Sequence, residues 1–115
     1  MAKLGAVKRG RASEDRAIEY LKQRGFEIIE RNFYAKRYGE IDIIALKGNR
    51  LHFIEVKSSF SPLAPSFNLT KAKIDKLINS ANYYLQIKNL DIDFTIDALL
   101  IHFEEFEYIP NITIF

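Results

Sequence analysis

The chain has 115 residues, 48% of them hydrophobic and 28% charged, with no cysteine and a formal net charge of +2. This describes one soluble globular domain with enough apolar side chains for a core, and does not fit a second independent one. No apolar run approaches the roughly 18 residues needed to cross a bilayer, and the N-terminus lacks the basic-then-hydrophobic layout of a secretory signal. The expected location is therefore the cytoplasm, with no membrane partner. Without cysteine there are no disulfides, thiolate zinc sites or cysteine nucleophiles, so a metal would be held by carboxylates, carbonyls or the two histidines. Oxygen ligands favour Mg2+ or Mn2+. Residues 1–37 hold ten Lys or Arg against five acids, and the remainder seven against ten. A basic flank beside an acidic remainder suits phosphate binding next to a metal site, and equally suits ordinary solvated faces.

Residues 1–11, with Lys3, Lys8, Arg9 and Arg11, carry almost no apolar pattern and read as a mobile basic arm preceding a domain at 12–115. Ser13 can cap a helix over 12–24 with Glu14 and Asp15 in its first turn, an apolar stripe of Ala17, Ile18, Tyr20 and Leu21, and Gly25 at its end. Phe26–Tyr34 reads as a strand. Gly39–Leu46 and Leu51–Lys57 read as two more, joined at Gly48-Asn49, where glycine at the first turn position fits a type II′ hairpin. Both faces of that hairpin are apolar, so it should be central and covered on two sides. Ser58–Asn68, with Pro62 and Pro65, reads as a loop. Ile74, Leu77, Ile78, Ala81, Tyr84 and Leu85 recur at helical spacing over 69–88. Phe94–Phe103 is a strongly apolar strand containing Asp97, and Glu107–Ile114 a short edge strand around Pro110.

A turn at Gly48-Asn49 sets residues whose numbers sum to ninety-seven opposite one another, and so places Asp42 across from Glu55 and Glu40 across from Lys57. Alternation at a period of two then puts Glu40, Asp42, Glu55 and Lys57 on one face. Opposed side chains lie about 4.5–5.5 Å apart at Cβ, where like charges are destabilising unless compensated. A divalent cation is one compensator. Two carboxylates holding a hard cation beside a lysine are the apparatus of phosphodiester hydrolysis. The alternative is two cross-strand ion pairs at a sheet end.

The ordered series of Gly10 and Glu14, Leu21 and Gly25, Asn32, Gly39 through Ala45, Phe53 through Lys57, then Lys73, Ala81, Leu85 and Asp97 resembles the YraN-type family. That family is one of small uncharacterised proteins within the restriction-endonuclease-like PD-(D/E)XK superfamily, which includes archaeal Holliday junction resolvases. The resemblance implies an α/β fold with a central mixed sheet flanked by helices, in the order α-β-β-β-α-β-β. It implies Asp42 and Glu55 as metal ligands for Mg2+ or Mn2+, Lys57 as the catalytic lysine and Glu14 as a further acid reaching the site from the first helix. Glu40 either joins the site or pairs with Lys57. Lys73 projects from the buried side near its helix start, where it either contacts phosphate or extends its ammonium to solvent. Ser59 and Thr95 stand where relatives of this type often carry arginine. Asp97 reads as a structural acid in preference to a partner for a basic residue near the site.

Two histidines at ligand spacing are not found, so His52 and His102 read as core or edge residues. Phe33 reads as core, while Tyr34 and Tyr38, beside Arg31, Lys36 and Arg37, could stack on unpaired bases. The leading expectation is a metal-dependent nuclease acting on branched or single-stranded DNA, with a homodimer suggested by junction-cutting relatives. The alternative is a non-catalytic nucleic-acid-binding accessory of recombination, repair or uptake that grips DNA through Arg9, Arg11, Lys36 and Arg37. A third is a protein-interaction domain using the acidic Glu104–Glu107 segment.

Overall fold

The computed structural model describes the backbone of residues 2–59 and 69–113, and side chains from residue 12 onward within them. The chain runs α1 (Ala2–Gln23), β1 (Glu27–Tyr34), a 3-10 turn (Lys36–Tyr38), β2 (Glu40–Lys47), β3 (Arg50–Ser59), α2 (Lys71–Ile87), β4 (Asp93–His102) and β5 (Glu105–Ile109). These strands form one five-stranded sheet in the order β1-β2-β3-β4-β5. Every neighbouring pair is antiparallel except β3 and β4, which run parallel because α2 carries the chain back between them. This is the mixed, helix-flanked α/β arrangement expected of a restriction-endonuclease-like fold. Among the described residues no helix is long and apolar enough to cross a membrane.

Local chemistry sets the element ends. α1 closes in a Schellman arrangement: Gly25 adopts a φ of 87°, its N–H reaches Lys22 O, and Phe26 N–H reaches Leu21 O. Phe26 and Leu21 then bury together under the sheet. α2 opens on Thr70, whose side chain accepts a hydrogen bond from Lys73 N–H at 3.2 Å, and closes the same way through Asn89, at a φ of 52°. The β2–β3 hairpin has Gly48 at a φ of 62°, with no positive φ at Asn49, which is the type II′ pattern.

Two expected boundaries are corrected. α1 begins at Ala2 instead of residue 12, so Ser13 lies inside it instead of capping it. Ala2, Lys3, Leu4, Ala6, Lys8, Arg9 and Arg11 are good helix formers, and propensity carries the helix where no apolar stripe is visible. β5 spans Glu105–Ile109 and stops at Pro110, which has no N–H to give to the ladder. Most of the loop expected over 58–68 lies outside the described residues.

The sheet is covered on both faces. Toward α2, Ile44, Phe53 and Ile96 pack with Leu77, Ala81 and Tyr84. Toward α1, Ile43, Ile54, Leu99 and Ile101 pack with Ala17 and Leu21. β3 lies in the middle of the sheet, with Phe53 packed in the layer toward α2 and Ile54 in the layer toward α1.

Candidate metal and phosphate site

The hairpin register is the one its turn demands, with Ile43 opposite Ile54, Ile44 opposite Phe53 and Lys47 opposite Arg50. Beyond Ile43 and Ile54 the two strands part. Glu40 and Ile41 stay with β1, facing Tyr34 and Phe33, while Glu55 through Ser59 follow β4, facing Ala98 through His102. Parting strands leave backbone groups without ladder partners, and one of these defines the site: Val56 N–H donates to Asp42 Oδ2 at 2.8 Å.

The carboxyl groups of Asp42 and Glu55 lie close enough for each to act on the other's ionisation. Burial pushes the Glu55 carboxyl up to about 8, the Asp42 charge adds to this, and Lys57 and Lys73 oppose it. Burial also raises Asp42, with Glu14 and Glu40 adding to it, while the Val56 N–H and the Glu55 carboxyl pull the other way. Burial first, and the nearby Asp42 charge second, thus favour the protonated form of Glu55 near neutral pH.

The single shared face is corrected. Ile41 packs on the α2 side and Ile43 on the α1 side, so the alternation of β2 is interrupted at Asp42. Glu40, Glu55 and Lys57 do come together, lining a cavity of about 220 Å3 with Lys73, Lys76 and Tyr38. Asp42 is not on its wall and reaches Glu55 from beside it.

Glu14 comes from α1 close enough for its charge to act on Asp42. Its Oε2 is buried with no hydrogen-bond partner, and the Arg31 guanidinium, anchored on Asp15 at 2.9 Å, stays 3.7 Å away. Ser13, buried in α1, donates to Ser58 Oγ at 2.9 Å and so ties the helix to β3 one residue past Lys57.

The donor set suits a hard divalent cation. Both carboxyls offer oxygen, each is close enough to act on the other's ionisation, and the buried Glu14 Oε2, whose charge also acts on Asp42, has no hydrogen-bond partner. Among the described residues no three His, Cys, Asp or Glu side chains converge to cage an ion. Two carboxylates with the remaining positions filled by water and substrate phosphate is the usual Mg2+ arrangement.

The other expected residues divide clearly. Lys36 and Arg37 are exposed on the 3-10 turn next to Tyr38, at the cavity edge. The side chains of Arg9 and Arg11 lie outside the described residues. Lys73 and Lys76, three apart on α2, both face the cavity; Lys76 was absent from the sequence reading, and its helical spacing from Lys73 was the available signal.

Asp97 sits apart from this site. It is fully buried and accepts from Thr95 Oγ1 at 2.9 Å, Asn111 N–H at 2.8 Å and Tyr108 Oη, with His52 Nδ1 at 2.7 Å. Burial raises its carboxyl, but these hydrogen bonds outweigh burial and hold it below the ordinary value. Asp97 is thus the structural acid expected, and His52 is its partner. The two histidines lie toward opposite ends of the β3–β4 ladder, His52 facing Thr95 and His102 facing Ser59.

Comparison with known proteins places the chain among relatives of similar length. The model of the uncharacterised protein family UPF0102 matches residues 13–101. A UPF0102 protein of Sulfurovum sp. is 50% identical over 105 residues, covering 91% of this chain and 93% of the relative. One from Helicobacter hepaticus is 50% identical over 106 residues, covering 92% and 94%, and one from Helicobacter pylori is 48% identical over 107, covering 91% and 90%.

Proposed function

The chain belongs to the uncharacterised family UPF0102, and from its site we propose that it is a Mg2+- or Mn2+-dependent nuclease hydrolysing DNA phosphodiesters. One observation carries the reading: Asp42 accepts the Val56 N–H at 2.8 Å where β2 and β3 part, which brings its carboxyl to the strand position next to Glu55, and Glu55 lines one cavity with Lys57. Asp42 and Glu55 would hold the cation, and when bound it supplies charge neutralisation at a phosphoryl oxygen and a more acidic water. Lys57 opens on the same cavity as Glu55, where its ammonium can orient the attacking water or stabilise the negative charge that develops on the phosphoryl oxygens. Glu40 offers a carboxylate on the same wall, and Lys73 and Lys76 supply cations for the phosphates flanking the scissile bond. One such site cuts one strand, so cleavage of both strands of a branched substrate calls for a homodimer.

A second reading, nucleic-acid binding without catalysis, is supported by the exposed Lys36 and Arg37 on the 3-10 turn, whose grip on phosphate does not need the carboxyls. Ser59 and Thr95 bring no guanidinium, which weakens phosphate binding without removing the carboxyls.

The test is cleavage of labelled single-stranded, duplex and four-way-junction DNA by purified protein with Mg2+ or Mn2+, beside Glu55→Gln. The nuclease reading expects metal-dependent cutting that Glu55→Gln reduces at least about 100-fold. Equal cutting by both proteins overturns it, and salt-sensitive binding with no cutting leaves the second reading in its place.

A further inference from the structure

The cavity holding Glu55 and Lys57 has a second wall that phosphate chemistry does not use. Tyr38 forms part of it, with Leu69 and Leu77 beside it. A phosphodiester needs cations and a metal; an apolar and aromatic wall facing them is suited to the other part of a nucleotide, its base.

Tyr38 is also held in place. It ends the 3-10 turn, with its N–H bonded to Ala35 O, and Ala35 N–H is bonded to Gly39 O at 2.7 Å. Ala35 is fully buried, which anchors the turn to the core. The half-buried Tyr38 ring rests against Tyr83 at 5.9 Å, and Tyr83 against Phe33 at 6.2 Å, so an aromatic row runs from the core to the cavity. Phe33 is buried, and Tyr34, though 66% exposed, does not line the cavity, which leaves Tyr38 as the ring placed to receive a base. On the same turn the exposed Arg37 donates to Tyr38 Oη at 3.0 Å with its guanidinium over the ring, 5.0 Å from the centroid, a solvent-side cover that an incoming base would displace or share.

Resting on the nuclease reading and deepening it, we propose that Tyr38 is a stacking platform for an unpaired nucleobase next to the scissile phosphate. The preferred substrate is then DNA with unpaired nucleotides, since bases inside an intact duplex do not present their faces. Lys36 and Arg37 contribute the sequence- and structure-independent grip on phosphate.

The experiment is fluorescence anisotropy in EDTA, which separates binding from cleavage, using a labelled single strand and the blunt duplex of the same sequence. Tyr38→Ala is expected to weaken single-strand binding by about 5- to 100-fold, the range that one base–aromatic stack supports, and to leave duplex binding within about twofold. Tyr38→Phe should bind as wild type does. Tyr38→Leu, which keeps an apolar contact with Tyr83 and so guards against misfolding, should behave like Tyr38→Ala. Arg37→Ala should weaken both probes alike and make the salt slope shallower by about one ion. If wild type binds but Tyr38→Ala and Tyr38→Leu weaken both probes equally, or neither, the stacking role is overturned while the nuclease reading stands. If wild type binds neither probe at low salt, the nuclease reading falls first and the stacking role with it.

Discussion

Asp42 accepts the Val56 N–H at 2.8 Å across two strands that no longer pair, so the same carboxyl that meets Glu55 also caps an open end of the β2–β3 ladder. The two jobs can be separated by substitution. Asp42→Asn keeps an oxygen for the Val56 N–H while removing the charge, whereas Asp42→Ala leaves that N–H without an acceptor. The alanine variant is expected to be less stable than the asparagine variant by about 1–3 kcal/mol in urea denaturation, with Mn2+ binding lost in both. Equal stability of the two would show that the bond to Val56 contributes nothing to folding.

Metal-free protein should lose stability as pH rises. With Glu55 at its ordinary 4.5 unfolded and about 8 folded, both states are protonated below pH 4.5. Between these values the folded state keeps a proton that the unfolded state gives up, so stability falls by at most about 1.4 kcal/mol per pH unit and levels off above pH 8. Added Mn2+ has to displace that proton, so its stabilisation should be small at pH 5. At pH 8 and a hundredfold excess over Kd it should reach about 5–10 °C in Tm. Scanning calorimetry at both pH values with and without Mn2+ reads this directly, and a Tm shift as large at pH 5 as at pH 8 contradicts it. Glu55→Gln should make the fall smaller, leaving the part that the raised Asp42 contributes, and should abolish the response to Mn2+.

Much of this site was legible because hairpin geometry is local. Gly48 at the first turn position selects the turn, and the turn selects the register, which holds as far as Ile43 opposite Ile54 and so brings Asp42 and Glu55 to the point where the strands part. The parting of β2 from β3 was not legible, since it arises from β3 following β4, whose pairing depends on a crossover through α2. The same non-locality hid the switch of faces between Ile41 and Ile43 and the pairing of His52 with Asp97, 45 residues apart in sequence. The early start of α1 was missed for another reason: its first turns rest on propensity without an apolar stripe, and periodicity is blind to that.

Asp97 should govern the acid limb of stability. Its carboxyl is held below the ordinary 3.8, so the stabilisation it contributes is complete above that value and is lost as pH falls through the lower folded one. Asp97→Ala strands four donors in the interior, and a loss of about 3–5 kcal/mol at pH 7 is expected, with a flatter stability profile between pH 2 and 5. Urea titrations across that range check both parts. A steep acid limb surviving in Asp97→Ala would assign it to other carboxylates.

Lys57 and Lys73 both oppose the upward shift of Glu55, yet they should fail differently when removed. Lys57 follows Glu55 by two residues on the central strand and has the geometry to act on the reacting phosphate, so Lys57→Met should lower kcat by about 100- to 1000-fold. Lys73 projects from the first turn of α2, where it can grip a flanking phosphate, so Lys73→Met should act mainly by raising KM. Because either ammonium favours the ionised carboxylate, each loss should also move the pH midpoint of Mn2+ binding upward. Isothermal titration from pH 6 to 9 measures that midpoint independently of cleavage. Loss of kcat in Lys57→Met with an unmoved midpoint would keep its role at phosphorus but remove its influence on Glu55. An upward midpoint with kcat intact would reduce Lys57 to a partner of the carboxylates.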